Sequence, residues 1–171
     1  CFIGRFTSDI TADEIVIVDR HGLITHGDRL KYAFFPGQCD QVFNYFRVYT
    51  SNDLIGVEIG GACKNIVSIA AGICVGLNYG DNTIAALISR GLQEIVRFGS
   101  KYNANKDTFY GLSGLGDLSV TAFSQFSRNR KFGIKIGQGL SVESAEKEIK
   151  MTVEGISATK IIYQLSKKDK I

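Results

Sequence analysis

A long and nearly chargeless segment, VEIGGACKNIVSIAAGICVGL at residues 57–77, most constrains how this chain can fold. It predicts a buried helix, yet it contains one lysine, Lys64, shortly after Gly60 and Gly61. An ammonium group is costly to bury, so one interpretation is a packed side-chain stem with the charge in solvent, which is the commoner outcome. The alternative is a functional lysine, because the two glycines would leave bare backbone that a substrate could approach.

Composition limits the class of protein. The 171 residues suit one domain, or one domain with part of another. The net charge of +3 comes from interleaved basic and acidic residues, which argues against a broad nucleic-acid face. No uninterrupted apolar run reaches the roughly 18 residues of a membrane span, and no signal peptide is recognisable, so we expect a cytoplasmic protein. Four cysteines without CxxC spacing predict free thiols: Cys1, Cys39, Cys63 and Cys74.

Residues 1–50 differ in pattern from the rest of the chain. The segments DEIVIVD (13–19) and FRVYT (46–50) predict strands, and a roughly helical stretch at 27–46 is broken by Pro36 and Gly37. We interpret this part as a β-α-β remnant, and the family resemblance described below implies that it belongs to a dinucleotide-binding domain.

Residues 51–171 predict an all-α domain, so the fold class is mainly α with a short α/β piece in front. Thr50 and Asp53 have capping-box spacing for a helix that runs to about Asn78. Asp81 or Asn82 would cap a second helix, ending near Gly99. Later helices are predicted near 104–111, 128–138, 141–149 and 153–168.

Two short motifs carry candidate functional side chains. GLSGLGDLSVT (111–121) is not the G-x-G-x-x-G fingerprint. It predicts a tight turn before a short helix starting at Asp117, and on spacing alone helix capping is the favoured role of that aspartate. SRNRKFG (127–133) offers Arg128 and Arg130 near a helix start, which suits either a phosphate site or a solvated basic patch. His21 and His26 fit loop positions, and no metal site is predicted.

Several segments together carry a family resemblance: FRVYTSNDLIGVEIGGACKNIVSIAAGICVGL, GDNTIAALISRGLQEI, GLSGLGDLSVT, SRNRKFG, GQG and VEG. Over residues 46–168 the chain resembles the substrate domain of bacterial-type NAD(P)-dependent glycerol-3-phosphate dehydrogenases. The resemblance implies a helical domain of the 6-phosphogluconate dehydrogenase C-terminal-like type. It also implies interconversion of dihydroxyacetone phosphate and sn-glycerol 3-phosphate with NAD or NADP, for glycerophospholipid synthesis.

The same resemblance implies roles for individual residues. Lys64 resembles the family's proton acceptor and donor, and Asp117 the carboxylate that orients it. Arg128 would contact both substrate and cofactor, with Thr152 and Glu154 on the cofactor side. The implied substrate-binding residues are Lys64, Asn65, Asp117, Thr121, Ser127, Arg128 and Asn129.

Two other functions stay open. One is a relative that reduces another keto acid or keto phosphate, although GGxxKN, GLGDL and SRNR in one chain argue against it. The other is an inactive fragment or decayed copy that only dimerises or binds a partner. Because the chain has no G-x-G-x-x-G after an opening strand, we expect the isolated chain to bind the dinucleotide weakly. A homodimer is compatible with the resemblance.

Overall fold

The computed structural model describes residues 14–19 and 46–170. Two short strands, β1 (Glu14–Asp19) and β2 (Phe46–Ser51), lie where the sequence predicts them. They pair antiparallel, with Glu14 opposite Ser51. Strands that flank the helix of a β-α-β unit run parallel, so these two do not pair as such a unit would. The helix predicted between them, both histidines, Cys1 and Cys39 lie outside the described residues.

Helix α1 (Leu54–Gly76) is the buried helix predicted from the long apolar segment. Its N-cap is Asp53, whose carboxylate accepts a hydrogen bond from the Gly56 amide at 3.0 Å. The predicted capping role of Thr50 is wrong, because Thr50 belongs to β2. The polar segment between strand and helix marks the boundary correctly, but the cap is its last residue.

Six further helices follow α1 within residues 46–170, and a π-helical turn at Leu112–Gly116 leads into the third of them. They are α2 (Asp81–Lys101), α3 (Lys106–Tyr110), α4 (Asp117–Phe123), α5 (Arg128–Gly137), α6 (Val142–Ile149) and α7 (Glu154–Asp169). The predicted helices are therefore confirmed, with small shifts at their ends. The cap of α2 is Gly80, and Asp81 lies in the first turn, where its charge complements the helix dipole.

Helix α1 lies at the centre of the helical domain and contacts α2, α4, α5 and α7. In length and composition it would also suit a membrane span. Its packing against several other helices is that of the core helix of a folded domain. Side chains on different faces of α1 can therefore meet several other helices, which makes it the scaffold of the candidate site.

The closest helix crossing joins α1 to α5 and depends on glycines: Gly72 and Gly76 on α1, Gly133 and Gly137 on α5. A Cβ atom at Gly72 would lie 2.1 Å from the Arg130 carbonyl oxygen, and one at Gly133 would lie 2.0 Å from the Ile69 carbonyl oxygen. Any side chain here would push the two backbones apart. The crossing therefore holds the first turn of α5 against α1.

A small apolar cluster secures the start of α7. Phe132 of α5, Ala145 of α6 and Val153, the residue just before α7, are all buried in it. Burial of apolar side chains stabilises such contacts by about 25 cal/mol per Å². This cluster fixes the position of Glu154, the first residue of α7, relative to α5.

Candidate active site

A buried ion pair joins α1 to α4. The Lys64 Nζ atom lies 2.5 Å from Asp117 Oδ2, and the two side chains are 9% and 4% exposed. A buried charge is tolerated when it has an oppositely charged, hydrogen-bonded partner, which this contact supplies. The ammonium of Lys64 therefore does not extend into bulk solvent. The predicted capping role of Asp117 is wrong, because Asp117 is the first residue of α4 and Gly116 is its N-cap.

Asp117 is delivered to this position by the π-helical turn at Leu112–Gly116 rather than by the predicted tight turn. The Gly116 amide donates to the Gly111 carbonyl at 3.2 Å, five residues back, as a π-helix requires. A Cβ atom at Gly114 would lie 2.0 Å from the Phe109 carbonyl oxygen. The wider turn thus depends on a glycine packed against the backbone of a fully buried phenylalanine.

Thr121 lies one turn after Asp117 on α4. Its hydroxyl donates to the Asp117 carbonyl at 2.7 Å and also lies 3.4 Å from Asp117 Oδ1. The threonine therefore contacts the carboxylate that holds Lys64, and it also lines the adjoining cleft. This places the predicted substrate contact beside the ion pair.

A chain of amide side chains links α1, α5 and α7. Asn129 donates from Nδ2 to Asn65 Oδ1 at 2.9 Å and accepts at Oδ1 from the Gly155 amide at 2.9 Å. Asn65 donates to the Gly61 carbonyl at 3.3 Å and to Glu154 Oε2 at 3.4 Å. Both predicted asparagines lie at the cleft, and in this structure their amides join three helices to one another.

Ser127, which is well suited by its chemistry to begin a helix, caps α5 and accepts a hydrogen bond from the Arg130 amide at 3.2 Å. Its hydroxyl also lies 3.1 Å from that of Ser68, which is fully buried on α1 and donates to the Thr121 carbonyl at 2.8 Å. Ser68 was missed in the sequence analysis. Its spacing was the available signal, because residues four apart on a helix share a face and Ser68 follows Lys64 by four.

Arg128 and Glu154 form a second ion pair, at the surface of the cleft. Arg128 Nη2 lies 3.3 Å from Glu154 Oε1, and the side chains are 37% and 55% exposed. Arg128 is the first residue of α5 and Glu154 the first residue of α7. A guanidinium group at a helix N-terminus is a suitable site for a phosphate or another anion.

Most of these residues line one cleft with a volume of about 590 Å³, but Asp117 and Ser68 do not. Its polar wall includes Lys64, Asn65 and Arg128, and an apolar wall comes from α4, α7 and the loop before α5. No motif in the sequence points to that apolar wall, which consists of Val120, Phe126, Ala158, Ile161 and Ile162. Phe126 is 78% exposed, as expected of a side chain at the open edge of a cleft.

Three further predicted residues, Gly60, Gly61 and Thr152, differ in their position relative to the cleft. Gly61 lines the cleft, as expected of bare backbone beside Lys64. Gly60 does not: it is buried, and a Cβ atom there would lie 2.9 Å from the Ser113 carbonyl oxygen. Thr152 is exposed and does not line the cleft, although it precedes Glu154 by two residues.

Cys63 is buried on α1 beside Lys64 in sequence. Burial raises the pKa of its thiol to about 12, because the low-polarity surroundings disfavour the thiolate. The thiol is therefore protonated at neutral pH, as expected of a packing residue rather than a nucleophile.

Comparisons with known proteins show the family of the chain. A family model described as the NAD-dependent glycerol-3-phosphate dehydrogenase C-terminus matches residues 53–171. A glycerol-3-phosphate dehydrogenase [NAD(P)+] of Carboxydothermus hydrogenoformans is 62% identical over 124 residues, which are 72% of this chain and 37% of the relative. A protein of the same name from Clostridium botulinum is 49% identical over 159 residues, covering 92% of this chain and 47% of its own length.

Solved structures give the same result. A crystal structure of glycerol-3-phosphate dehydrogenase from Coxiella burnetii matches with a TM-score of 0.72 and 44% identity, over 73% of this chain and 38% of that one. The Saccharomyces cerevisiae enzyme matches with a TM-score of 0.63 and 30% identity, over 67% and 34%. The chain thus spans less than half the length of these relatives. It belongs to the NAD-dependent glycerol-3-phosphate dehydrogenase family and contains that family's helical C-terminal domain.

Proposed function

We propose that this chain supplies the catalytic, substrate-side domain of an NAD(P)-dependent glycerol-3-phosphate dehydrogenase. The reaction would interconvert dihydroxyacetone phosphate and sn-glycerol 3-phosphate for glycerophospholipid synthesis. The observation that carries the proposal is the buried Lys64–Asp117 pair, whose lysine lines a cleft that also contains Arg128. The relatives, which are glycerol-3-phosphate dehydrogenases, support the same activity.

Lys64 is the group that moves the proton. In ketone reduction, negative charge develops on the carbonyl oxygen as the carbon accepts a hydride. The ammonium of Lys64 stabilises that charge and donates a proton from Nζ to the oxygen, so one N–H bond breaks and one O–H bond forms. In alcohol oxidation the neutral amine accepts the same proton. Asp117 holds the ammonium in place through the contact at 2.5 Å.

Arg128 binds the phosphate of the substrate. Its guanidinium group offers a planar fork of donors, and it stands at the start of α5, where backbone amides also favour an anion. Fixing the phosphate away from the reacting carbon orients the carbonyl toward Lys64, so binding energy is converted into alignment. The current partner of the guanidinium, Glu154, is more than half exposed and can be displaced.

The residues that would hold the cofactor are Arg128, Thr152 and Glu154. A guanidinium fits a dinucleotide's diphosphate and a carboxylate fits its ribose hydroxyls, so Arg128 and Glu154, which both line the cleft, are chemically suitable. Thr152 has a hydroxyl that could also bind a ribose, but it lies outside the cleft in this structure. When bound, the nicotinamide supplies or accepts the hydride. The chain's own residues hold the substrate and transfer the proton.

A chimera tests the proposal. The matching 124 residues of the C. hydrogenoformans relative are replaced by those of this chain, and oxidation of NADH and NADPH is followed with dihydroxyacetone phosphate. We expect turnover with the phosphate ester and little with unphosphorylated dihydroxyacetone. A chimera that folds and binds substrate without turnover would instead support the non-catalytic alternative. A preference for another keto acid or keto phosphate would support the alternative that the chain belongs to an enzyme with a different substrate.

We also propose that the protein is cytoplasmic and forms a homodimer. Light scattering on the purified chain tests the second statement, with an expected mass of twice the 18.7 kDa of one chain. A mass that stays at one chain over a tenfold concentration range contradicts it.

A further inference from the structure

Helix α1 contacts the π-helical turn and the first residue of α4, which directly follows it, at two successive points. At one, Gly60 packs against the Ser113 carbonyl, and a Cβ atom at Gly60 would lie 2.9 Å from that oxygen. At the other, Lys64 bonds to Asp117. Each partner of the second contact follows its counterpart in the first by four residues. The two contacts therefore lie about 6 Å apart along α1, at a rise of about 1.5 Å per residue.

The first contact has little freedom to adjust because both of its sides are backbone. Ser113 is buried in the turn, and the neighbouring Gly114 is packed directly against the Phe109 backbone. Phe109 is itself fully buried, with its ring against Gly99 of α2. The turn is thus packed against α1 and α3, and α3 is in turn packed against α2 through Phe109 and Gly99.

We propose that Gly60 is a positioning residue for proton transfer, because its lack of a side chain sets how closely the turn carries Asp117 to Lys64. This inference rests on the proposed function only where it concerns turnover. A methyl group at Gly60 would need the Ser113 oxygen to move from 2.9 Å to the 3.4 Å at which ordinary contacts begin. Asp117 follows the turn away from Lys64 by about half an ångström, while Arg128 on α5 stays in place.

The first experiment observes the ion pair in the 171-residue chain itself. An ammonium group that is buried and bound to a carboxylate exchanges its protons slowly, so we expect a Lys64 signal in ¹H–¹⁵N spectra of the lysine side chains. Gly60→Ala should broaden or remove this signal. Gly111→Ala is the matched control in the adjoining loop, because a Cβ atom there would meet its nearest neighbour at 3.5 Å and the signal should persist.

The second experiment measures kinetics in the chimera. We expect Gly60→Ala to lower kcat about tenfold, since a misplacement of 1 Å can cost about 10²-fold. The KM for dihydroxyacetone phosphate should change by less than about twofold, because the phosphate contact is not displaced. Gly111→Ala should retain both constants.

Three results would show that Gly60 does not position the ion pair. An unchanged Lys64 signal in Gly60→Ala, or an unchanged kcat, overturns the inference. So does unfolding of Gly60→Ala by circular dichroism, because the inference requires a displaced turn in an otherwise intact domain. If no chimera turns over at all, the proposed function fails, while the spectra still decide whether Gly60 positions the ion pair.

Discussion

The two ion pairs of the cleft differ in almost every physical respect. Lys64 and Asp117 are nearly inaccessible and 2.5 Å apart, whereas Arg128 and Glu154 are substantially exposed and 3.3 Å apart. The buried pair lies between a central helix and a turn packed by glycines. The exposed pair joins the first residues of two helices. The buried pair therefore suits chemistry that needs fixed geometry, and the exposed pair suits binding that needs a partner to be exchanged.

Free energies support this division. An exposed ion pair contributes roughly 0–1 kcal/mol to folding, so a phosphate can replace Glu154 as the partner of Arg128 at small cost. Removing one member of a buried pair costs roughly 3–5 kcal/mol, because the other charge is left without compensation. Substitutions at the two pairs should consequently affect different properties of the protein.

The largest stability effect should come from Asp117→Ala. This change leaves the ammonium of Lys64 buried beside a cavity, and we expect the free energy of unfolding to fall by about 3 kcal/mol or more. Urea titration of the chain, followed by circular dichroism, measures it. A loss below about 1 kcal/mol would show that the Lys64–Asp117 pair contributes no more to stability than an exposed pair such as Arg128–Glu154.

A smaller effect, on binding, should come from Arg128→Lys. The charge is kept but the bidentate fork is lost, so dihydroxyacetone phosphate should bind more weakly to the chimera by about 1.5–3 kcal/mol. Lys131→Gln, which removes an exposed cation three residues along α5, is the control and should bind almost normally. If the binding of unphosphorylated dihydroxyacetone is weakened as much as the binding of its phosphate ester, Arg128 does not bind the phosphate group.

The smallest effect on stability should come from Glu154→Gln. The pair with Arg128 is exposed, and glutamine can still accept a hydrogen bond, so the free energy of unfolding should change by less than about 1 kcal/mol. The same urea titration applies. A loss of 2 kcal/mol or more would mean that this pair is structural, contrary to the role given to it here.

The helices were largely predictable because their signals are local. The signal for a helix start or a buried helix lies within a few residues of the element itself, as it does for the caps Asp53 and Ser127 and for the apolar run of α1. Cap positions were less certain, since Thr50, Asp53 and Asp81 are all good caps by chemistry and only the path of the chain selects among them.

The π-helical turn and the apolar wall of the cleft could not be predicted in the same way. The turn depends on two close backbone contacts. Gly60 packs against the Ser113 carbonyl, which is distant in sequence, and Gly114 packs against the backbone of Phe109, five residues before it. The apolar wall combines residues of α4 and α7 that are about 40 positions apart, such as Val120 and Ile161. Motifs identified Lys64 and its carboxylate partner, but only packing shows how they meet.

The turnover number of the Lys64→Met chimera tests the proposed role of Lys64 in proton transfer. If the buried lysine transfers the proton, kcat should fall by at least about 10²-fold with a smaller change in cofactor affinity. Lys101→Met, at the exposed end of α2, is the control for loss of a lysine, and thermal melts test whether each variant folds. A folded Lys64→Met chimera with near-normal kcat would show that Lys64 does not transfer the proton.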